Sequence, residues 1–111
     1  MEVKAQKRLL RVTPRKARLV SDLVRGKDCG QAIAILRNSK QHVAKDIEKL
    51  IRSAMANAEH NNDMDINNLV IAKIYADEGP VLKRIRAGSR GSASRINKRT
   101  STITVYVAEK E

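Results

Sequence analysis

Seven basic residues stand between Gly79 and Thr102 with no acidic residue among them: Lys83, Arg84, Arg86, Arg90, Arg95, Lys98 and Arg99. Their chemistry is phosphate recognition. The arginine guanidinium presents forked donors that match phosphate geometry, and lysine acts as a point charge. The middle of this stretch, Ala87–Ser94, is almost all Gly, Ala and Ser. Ile85 and Ile96 flank it among basic neighbours, and β-rich runs, Leu69–Ala76 and Ile103–Val107, lie outside it. That order reads as a hairpin whose strands leave a small sheet and turn at a Gly/Ser tip. An arm of about nine residues would reach ~30 Å. A lone two-stranded ribbon is marginal in water, so a polyanion outside the chain has to hold it. A second basic block opens the chain. Residues 1–27 include Lys7, Arg8, Arg11, Arg15, Lys16, Arg18, Arg25 and Lys27, and carry net +7.

Other chemistry is poorly represented. The two histidines, His42 and His60, lie eighteen residues apart, which is not a helical ligand pair. The single Cys29 permits no internal disulfide and no zinc site of ordinary spacing. It reads as a small buried residue, with a reactive thiol as the alternative. Asp63 and Asp65 resemble a fragment of a calcium loop without its glycine and terminal glutamate. No nucleotide-binding glycine motif or nucleophile elbow occurs. The chain therefore reads as a non-enzyme with no cofactor and no metal.

The remaining numbers bound the class. The 111 residues fit one domain. Net charge is +11 and the pI is near 10.3. Charge is segregated: residues 28–78 carry net −2 and residues 79–102 carry +7. Two basic blocks flank a near-neutral middle, which points to a polyanionic partner. There is no Trp or Phe and only two Tyr, which disfavours base stacking and favours contact with phosphates and shape. No run of 18 apolar residues occurs and the N-terminus lacks a signal-peptide pattern, so a cytoplasmic protein without a membrane contact is expected.

The elements that must position these residues follow from periodicity. Val3–Val12 reads as a strand. Thr13-Pro14 caps a helix that runs to about Arg25 and stops at Gly26. Its apolar stripe is Ala17, Val20, Leu23 and Val24, with Leu19 at the edge. Arg15, Arg18, Asp22 and Arg25 share another face, which is either solvated with an internal Arg18–Asp22 pair or binds phosphate. Asp28 and Gln31 suggest a capping box for a second helix with Ala32, Ile35 and Leu36 inward. The third helix, about Lys40 to His60, shows the clearest stripe: Val43, Ile47, Leu50, Ile51, Ala54 and Ala58. Its small C-terminal residues permit close approach. Strand Leu69–Ala76 follows, with Leu69, Ile71 and Tyr75 on one face. Residues 102–107 alternate cleanly, with Ile103, Val105 and Val107 inward. The expected class is α+β: three helices on one face of a small, mostly antiparallel three-stranded sheet, with a long protruding β-hairpin. A globular body, 1–78 and 103–111, carries an extended basic hairpin, 79–102.

Three motifs, in order, carry a family resemblance. Thr13-Pro14-Arg15-Lys16-Ala17-Arg18-Leu19-Val20 with Leu23-Val24-Arg25-Gly26-Lys27 resembles the opening helix of the family of large ribosomal subunit protein twenty-two. Ser53-Ala54-Met55-Ala56-Asn57-Ala58-Glu59-His60-Asn61 is similar to its long-helix signature. Asp77-Glu78-Gly79-Pro80, Lys83-Arg84 and Lys98-Arg99-Thr100-Ser101 before Ile103-Thr104-Val105 resemble its hairpin and last strand. The resemblance spans nearly the whole chain. It implies a structural protein that binds large-subunit rRNA, links several rRNA domains early in assembly and lines the nascent-polypeptide exit tunnel with its hairpin. The implied partners are that rRNA, neighbouring large-subunit ribosomal proteins and the nascent chain at the tunnel, with no homo-oligomer. The implied rRNA contacts are the fifteen basic residues Lys7, Arg8, Arg11, Arg15, Lys16, Arg18, Arg25, Lys27, Lys83, Arg84, Arg86, Arg90, Arg95, Lys98 and Arg99. The implied tunnel-lining tip is Arg86, Ala87, Gly88, Ser89, Arg90, Gly91 and Ser92. Ala87-Gly88 and Ser92 depart from the Pro-Arg and second arginine frequent there, so this tip carries less charge. The competing readings are a DNA-bending architectural protein with basic β-arms and a binding module for an acidic protein. The first lacks an apolar wedge at the tip.

Overall fold

The structure, a computed structural model, describes residues 2–80, 82–87 and 93–110; for 82–87 and 93–98 it describes the backbone alone. The body consists of β1 (Glu2–Leu10), α1 (Pro14–Val24), α2 (Cys29–Arg37), α3 (Val43–Asn62), a short 3-10 turn (Ile66–Asn68), β2 (Leu69–Glu78) and, at the far end of the chain, β5 (Ser101–Glu109). Between β2 and β5 come β3 (Leu82–Ala87) and β4 (Ala93–Lys98). The body strands form one antiparallel sheet in the order β1-β5-β2, and β3 and β4 form a separate antiparallel pair. The expected α+β class is observed. The hairpin's turn lies outside the described residues.

The helices pack on one sheet face. Helix α3 lies over β1 and β5, α1 over β2, and α2 against α3. Val43, Ile47, Leu50, Ile51, Ala54 and Ala58 of α3 are all buried. The alanine end sits flush on its neighbours, as the narrowing stripe implies. Each large aliphatic side chain buried here contributes roughly 1.5–3 kcal/mol relative to exposure. Pro14 occupies the first turn of α1, and Thr13 accepts the Ala17 N–H through its carbonyl. Gly26 closes that helix at φ +77°, a conformation that favours glycine.

Several local readings are corrected. In α1 the buried residues are Pro14, Ala17, Val20, Ser21 and Val24. Leu23 and Leu19 are 50% and 61% exposed. Ser21 takes the inward position because its hydroxyl donates to the Ala17 carbonyl at 2.8 Å, so burial leaves no polar atom unpaired. Asp28 precedes α2 but makes no side-chain cap. Its carboxylate instead accepts from Lys110 Nζ at 2.9 Å. In β2 the register slips between Ile71 and Lys73, so Ala72 is an extra residue. The bulge reverses the inward parity: Leu69, Ile71, Ile74 and Ala76 are buried, whereas Tyr75 points outward. A second irregularity, between Lys7 and Leu10 of β1, holds Leu9 at φ 56° and 56% exposed.

The ribbon joins the body through a tight junction. The Gly79 N–H donates to the Thr100 carbonyl at 2.9 Å, and the buried Thr100 hydroxyl donates to the Pro80 carbonyl. A Cβ at Gly79 would sit 2.6 Å from Thr100 Oγ1. Glycine is required there by this close approach. We expect Gly79→Ala to destabilise the protein by about 1–3 kcal/mol in urea denaturation. Removing the hydroxyl by Thr100→Ala in the same chain should recover part of the loss, giving a favourable coupling in a double-mutant cycle.

Candidate nucleic-acid interface

At the foot of the ribbon, three separate parts of the chain line one surface cleft of about 680 Å³. Arg11 comes from the segment leaving β1, Lys16 from the first turn of α1, Lys40 and His42 from the α2–α3 loop, and Arg99 from the end of the ribbon. Among the described residues no acidic side chain lines it. Arg11, Arg15 and Lys16 are exposed and make no ion pair or side-chain hydrogen bond with another described residue. Arg99 Nη2 meets Glu78 Oε1 at 2.9 Å, with both side chains about half exposed. That pair fixes the guanidinium at the mouth of the cleft and contributes little to stability. Ser101 holds the opposite wall: its hydroxyl donates to the Val12 carbonyl at 2.7 Å, which ties the Arg11–Thr13 segment to β5.

The cationic face of α1 divides into two parts. Arg15 and Lys16 are exposed and unpaired among the described residues. Arg18 and Arg25 are turned onto the sheet: Arg18 Nε donates to the Ala76 carbonyl at 3.1 Å and Arg25 Nη2 to the Ile74 carbonyl at 2.9 Å. Asp22 pairs with Arg25, not with Arg18. β2 is an edge strand, and its remaining groups are met nearby as well. The Ile71 N–H donates to the Lys27 carbonyl at 2.9 Å, and Asp28 bridges to Val70. The α1–α2 turn and two guanidinium groups thus cover an edge that would otherwise offer unpaired carbonyls. Arg18 and Arg25 combine this structural bond with guanidinium donors left over for an anion.

Of the other residues expected to meet RNA, Lys7 lies beside Asp46 and Lys49 of α3 in a smaller depression away from the main cleft. Arg8 Nε donates to Gln6 Oε1 at 3.3 Å on the uncovered sheet face. Lys27 is exposed at the α1–α2 turn. In the ribbon, the register sets Arg84 opposite Ile96, Ile85 opposite Arg95, Arg86 opposite Ser94 and Leu82 opposite Lys98. Arg90, and with it the tip from Gly88 to Ser92, lies outside the described residues, as do the side chains of Lys83, Arg84, Arg86, Ala87, Arg95 and Lys98. Lys40 and His42 are members of the cleft that sequence reasoning missed. Their one signal is a cationic Lys-Gln-His segment just ahead of a helix.

The remaining candidates for chemistry resolve structurally. Asp65 accepts the Asn67 N–H at 3.0 Å in a local turn, and no group of three or more metal-ligating side chains occurs among the described residues. Cys29 is 1% exposed. Burial, and then the neighbouring Asp28 carboxylate, push its thiol from 9.0 up to about 11. No helix among the described residues is long and apolar enough to cross a membrane.

A family profile described as ribosomal protein L22p/L17e matches residues 5–108 of the 111. The chain belongs to that family. It is a ribosomal protein of the large subunit. The match covers both basic blocks and the ribbon, and nothing favours the alternative of a DNA-bending protein with β-arms.

Two outcomes test this assignment of roles. Arg18→Gln with Arg25→Gln should cost about 1–2 kcal/mol of unfolding free energy, because edge carbonyls lose charged donors. Arg15→Gln with Lys16→Gln should change it by less than about 0.5 kcal/mol. For Cys29, a raised folded pKa favours the protonated thiol in the native state. Its stabilisation is complete below pH 9 and is lost as pH rises through about 11. Relative to Cys29→Ala, the wild-type unfolding free energy should fall by about 2 kcal/mol over that window.

Proposed function

We propose that the protein is a structural constituent of the large ribosomal subunit that binds rRNA through phosphate contacts and links several rRNA domains during early assembly. The observation that carries this reading is the acid-free basic cleft at the foot of the ribbon. Arg11, Lys16, Lys40, His42 and Arg99 come from distant parts of the chain and face one open volume. A phosphodiester backbone entering there meets forked arginine donors and lysine point charges with no opposing carboxylate on the walls. Arg15 and Lys27 extend the positive surface along α1. The ribbon adds Lys83, Arg84, Arg86, Arg95 and Lys98, with Ile85 and Ile96 set among them. In this reading the stem anchors in RNA, the tip from Arg86 to Ser92 lines the nascent-polypeptide exit tunnel, and neighbouring ribosomal proteins complete the surroundings.

The mechanism is electrostatic and sequence-tolerant. Each neutralised phosphate releases condensed counterions, so affinity depends steeply on salt. With about eight phosphates engaged, binding to large-subunit rRNA fragments should weaken roughly 10³–10⁵-fold between 50 and 200 mM salt. Arg11→Gln with Lys16→Gln should reduce the slope of log affinity against log salt by about 2 units. A shallow slope in the wild type, or a preference for generic duplex DNA over the rRNA fragments, would overturn the reading.

A further inference from the structure

The helices cover one face of the body sheet and leave the other bare. On that bare face the register sets Lys4, Tyr106 and Lys73 in one row across β1, β5 and β2, and Gln6, Thr104 and Tyr75 in the next. The chain contains only two aromatic residues, and both are here. The core under the helices is entirely aliphatic apart from Cys29 and Met64. The tyrosine rings lie 6.4 Å apart between centroids and 33° from parallel. Tyr75 is 39% exposed. Lys73 Nζ stands 5.5 Å from the Tyr106 centroid, and 3.6 Å from Glu2 Oε1.

The bulge at Ala72 creates this arrangement. Without the extra residue, Tyr75 would share the inward parity of Leu69 and Ile71, and Ile74 would face out. An aliphatic residue at an inward Tyr75 position would serve a core equally well. What the bulge achieves is an exposed ring beside the half-buried ring of Tyr106. The rows around the rings are polar. Lys4 and Arg8 are exposed on β1, and the Gln6 amide donates to Thr104 Oγ1 at 3.1 Å, which keeps its plane fixed and leaves one amide N–H free.

We propose that this sheet face binds an unpaired RNA nucleotide, whose base stacks on Tyr106 and Tyr75 while Lys4 and Lys73 meet the flanking phosphates. The proposal rests on the rRNA-binding reading and adds a base-stacking site to it, on the side of the body away from the helices. Stacking on exposed aromatic rings is tolerant of sequence, because every base has a π-face. A bare antiparallel sheet offering rings and cations together is a surface suited to single-stranded RNA. Charge complementarity favours RNA over a protein partner: Lys4, Arg8 and Lys73 outnumber Glu2 and Asp77 in and beside the rows of the rings.

The absence of Trp and Phe makes the test direct, since Tyr75 and Tyr106 are the chain's intrinsic fluorophores. The full-length protein is titrated with single-stranded octa-adenylate RNA and, separately, with inorganic polyphosphate as a polyanion without bases. The RNA should quench tyrosine emission and polyphosphate should bind without quenching. Tyr75→Val and Tyr106→Val should each weaken the labelled RNA roughly tenfold by anisotropy. Polyphosphate affinity should stay unchanged, a cooperative thermal transition by circular dichroism should show that the variants fold, and Tyr→Phe at either position should retain RNA binding. RNA binding without quenching, or wild-type RNA affinity in both valine variants, overturns the proposal. So does cross-linking of these tyrosines to a neighbouring protein in purified large subunits. If Arg11→Gln with Lys16→Gln also binds large-subunit rRNA as the wild type does, the rRNA-binding reading itself fails. If those charge variants lose affinity and the tyrosine variants do not, the base-stacking site alone falls.

Discussion

The hydrogen bonding of the body sheet runs through β5. β1 and β2 never pair with each other; each pairs only with the C-terminal strand between them. Ile103, Val105 and Val107 are essentially inaccessible under the helices. Thr104, on the opposite face, is just as buried, because Gln6 and Tyr75 close over it from either side. The sheet therefore cannot form until the last nine-residue strand is in place, although β1 comes from the start of the chain. The ribbon follows from the same constraint. β2 and β5 are adjacent antiparallel strands, so the chain between them must leave the sheet and return at one end of it.

A central strand leaves two edges, and the protein treats them differently. The β2 edge is covered by the Lys27 carbonyl, the Asp28 bridge, and the guanidinium groups of Arg18 and Arg25. The β1 edge carries Lys4, Lys7 and Arg8 and ends in a bulge at Leu9. Charged edge residues and bulges both discourage pairing with another chain. The basic residues near the sheet consequently serve two ends. Some close a strand edge, and others, Arg11, Lys16 and Lys40 among them, line the cleft beside the ribbon foot. A chain of net charge +11 gains nothing internally from holding so many cations on one side. Their concentration in one cleft gives the body a surface suited to an anion.

The α3 stripe was legible in the sequence because 3.6-residue periodicity over twenty residues leaves little room for another arrangement. The start and end of α1 were equally legible from Thr13-Pro14 and Gly26, whose backbone preferences act locally. The parity of β2 was not. Alternation sets Leu69, Ile71 and Tyr75 on one face, and one inserted residue at Ala72 moves Tyr75 to the other, with no sequence signature of its own. The inward Ser21 in place of Leu23 was hidden for a related reason: a hydroxyl that bonds its own helix four residues back is as easily buried as an aliphatic group. Asp28 has the residue type and position of a local cap, but the distant Lys110 takes its carboxylate.

The sequence alone determined the class of partner, the order of the elements and the family. Charge segregation, helical periodicity and contiguous motifs are all local properties of the chain, and each survives being read one segment at a time. Only the tertiary structure decided which cations work together and which are spent on the fold. Lys40 and His42 join Arg11, Lys16 and Arg99 because the α2–α3 loop folds back beside the ribbon foot. Arg18 and Arg25 turn from their helix onto β2 because an edge strand offers carbonyls within reach. Tyr75 and Tyr106 come together because a bulge shifts one strand past another. Each of these depends on distance in space between residues far apart in the chain, which no spacing in the sequence records.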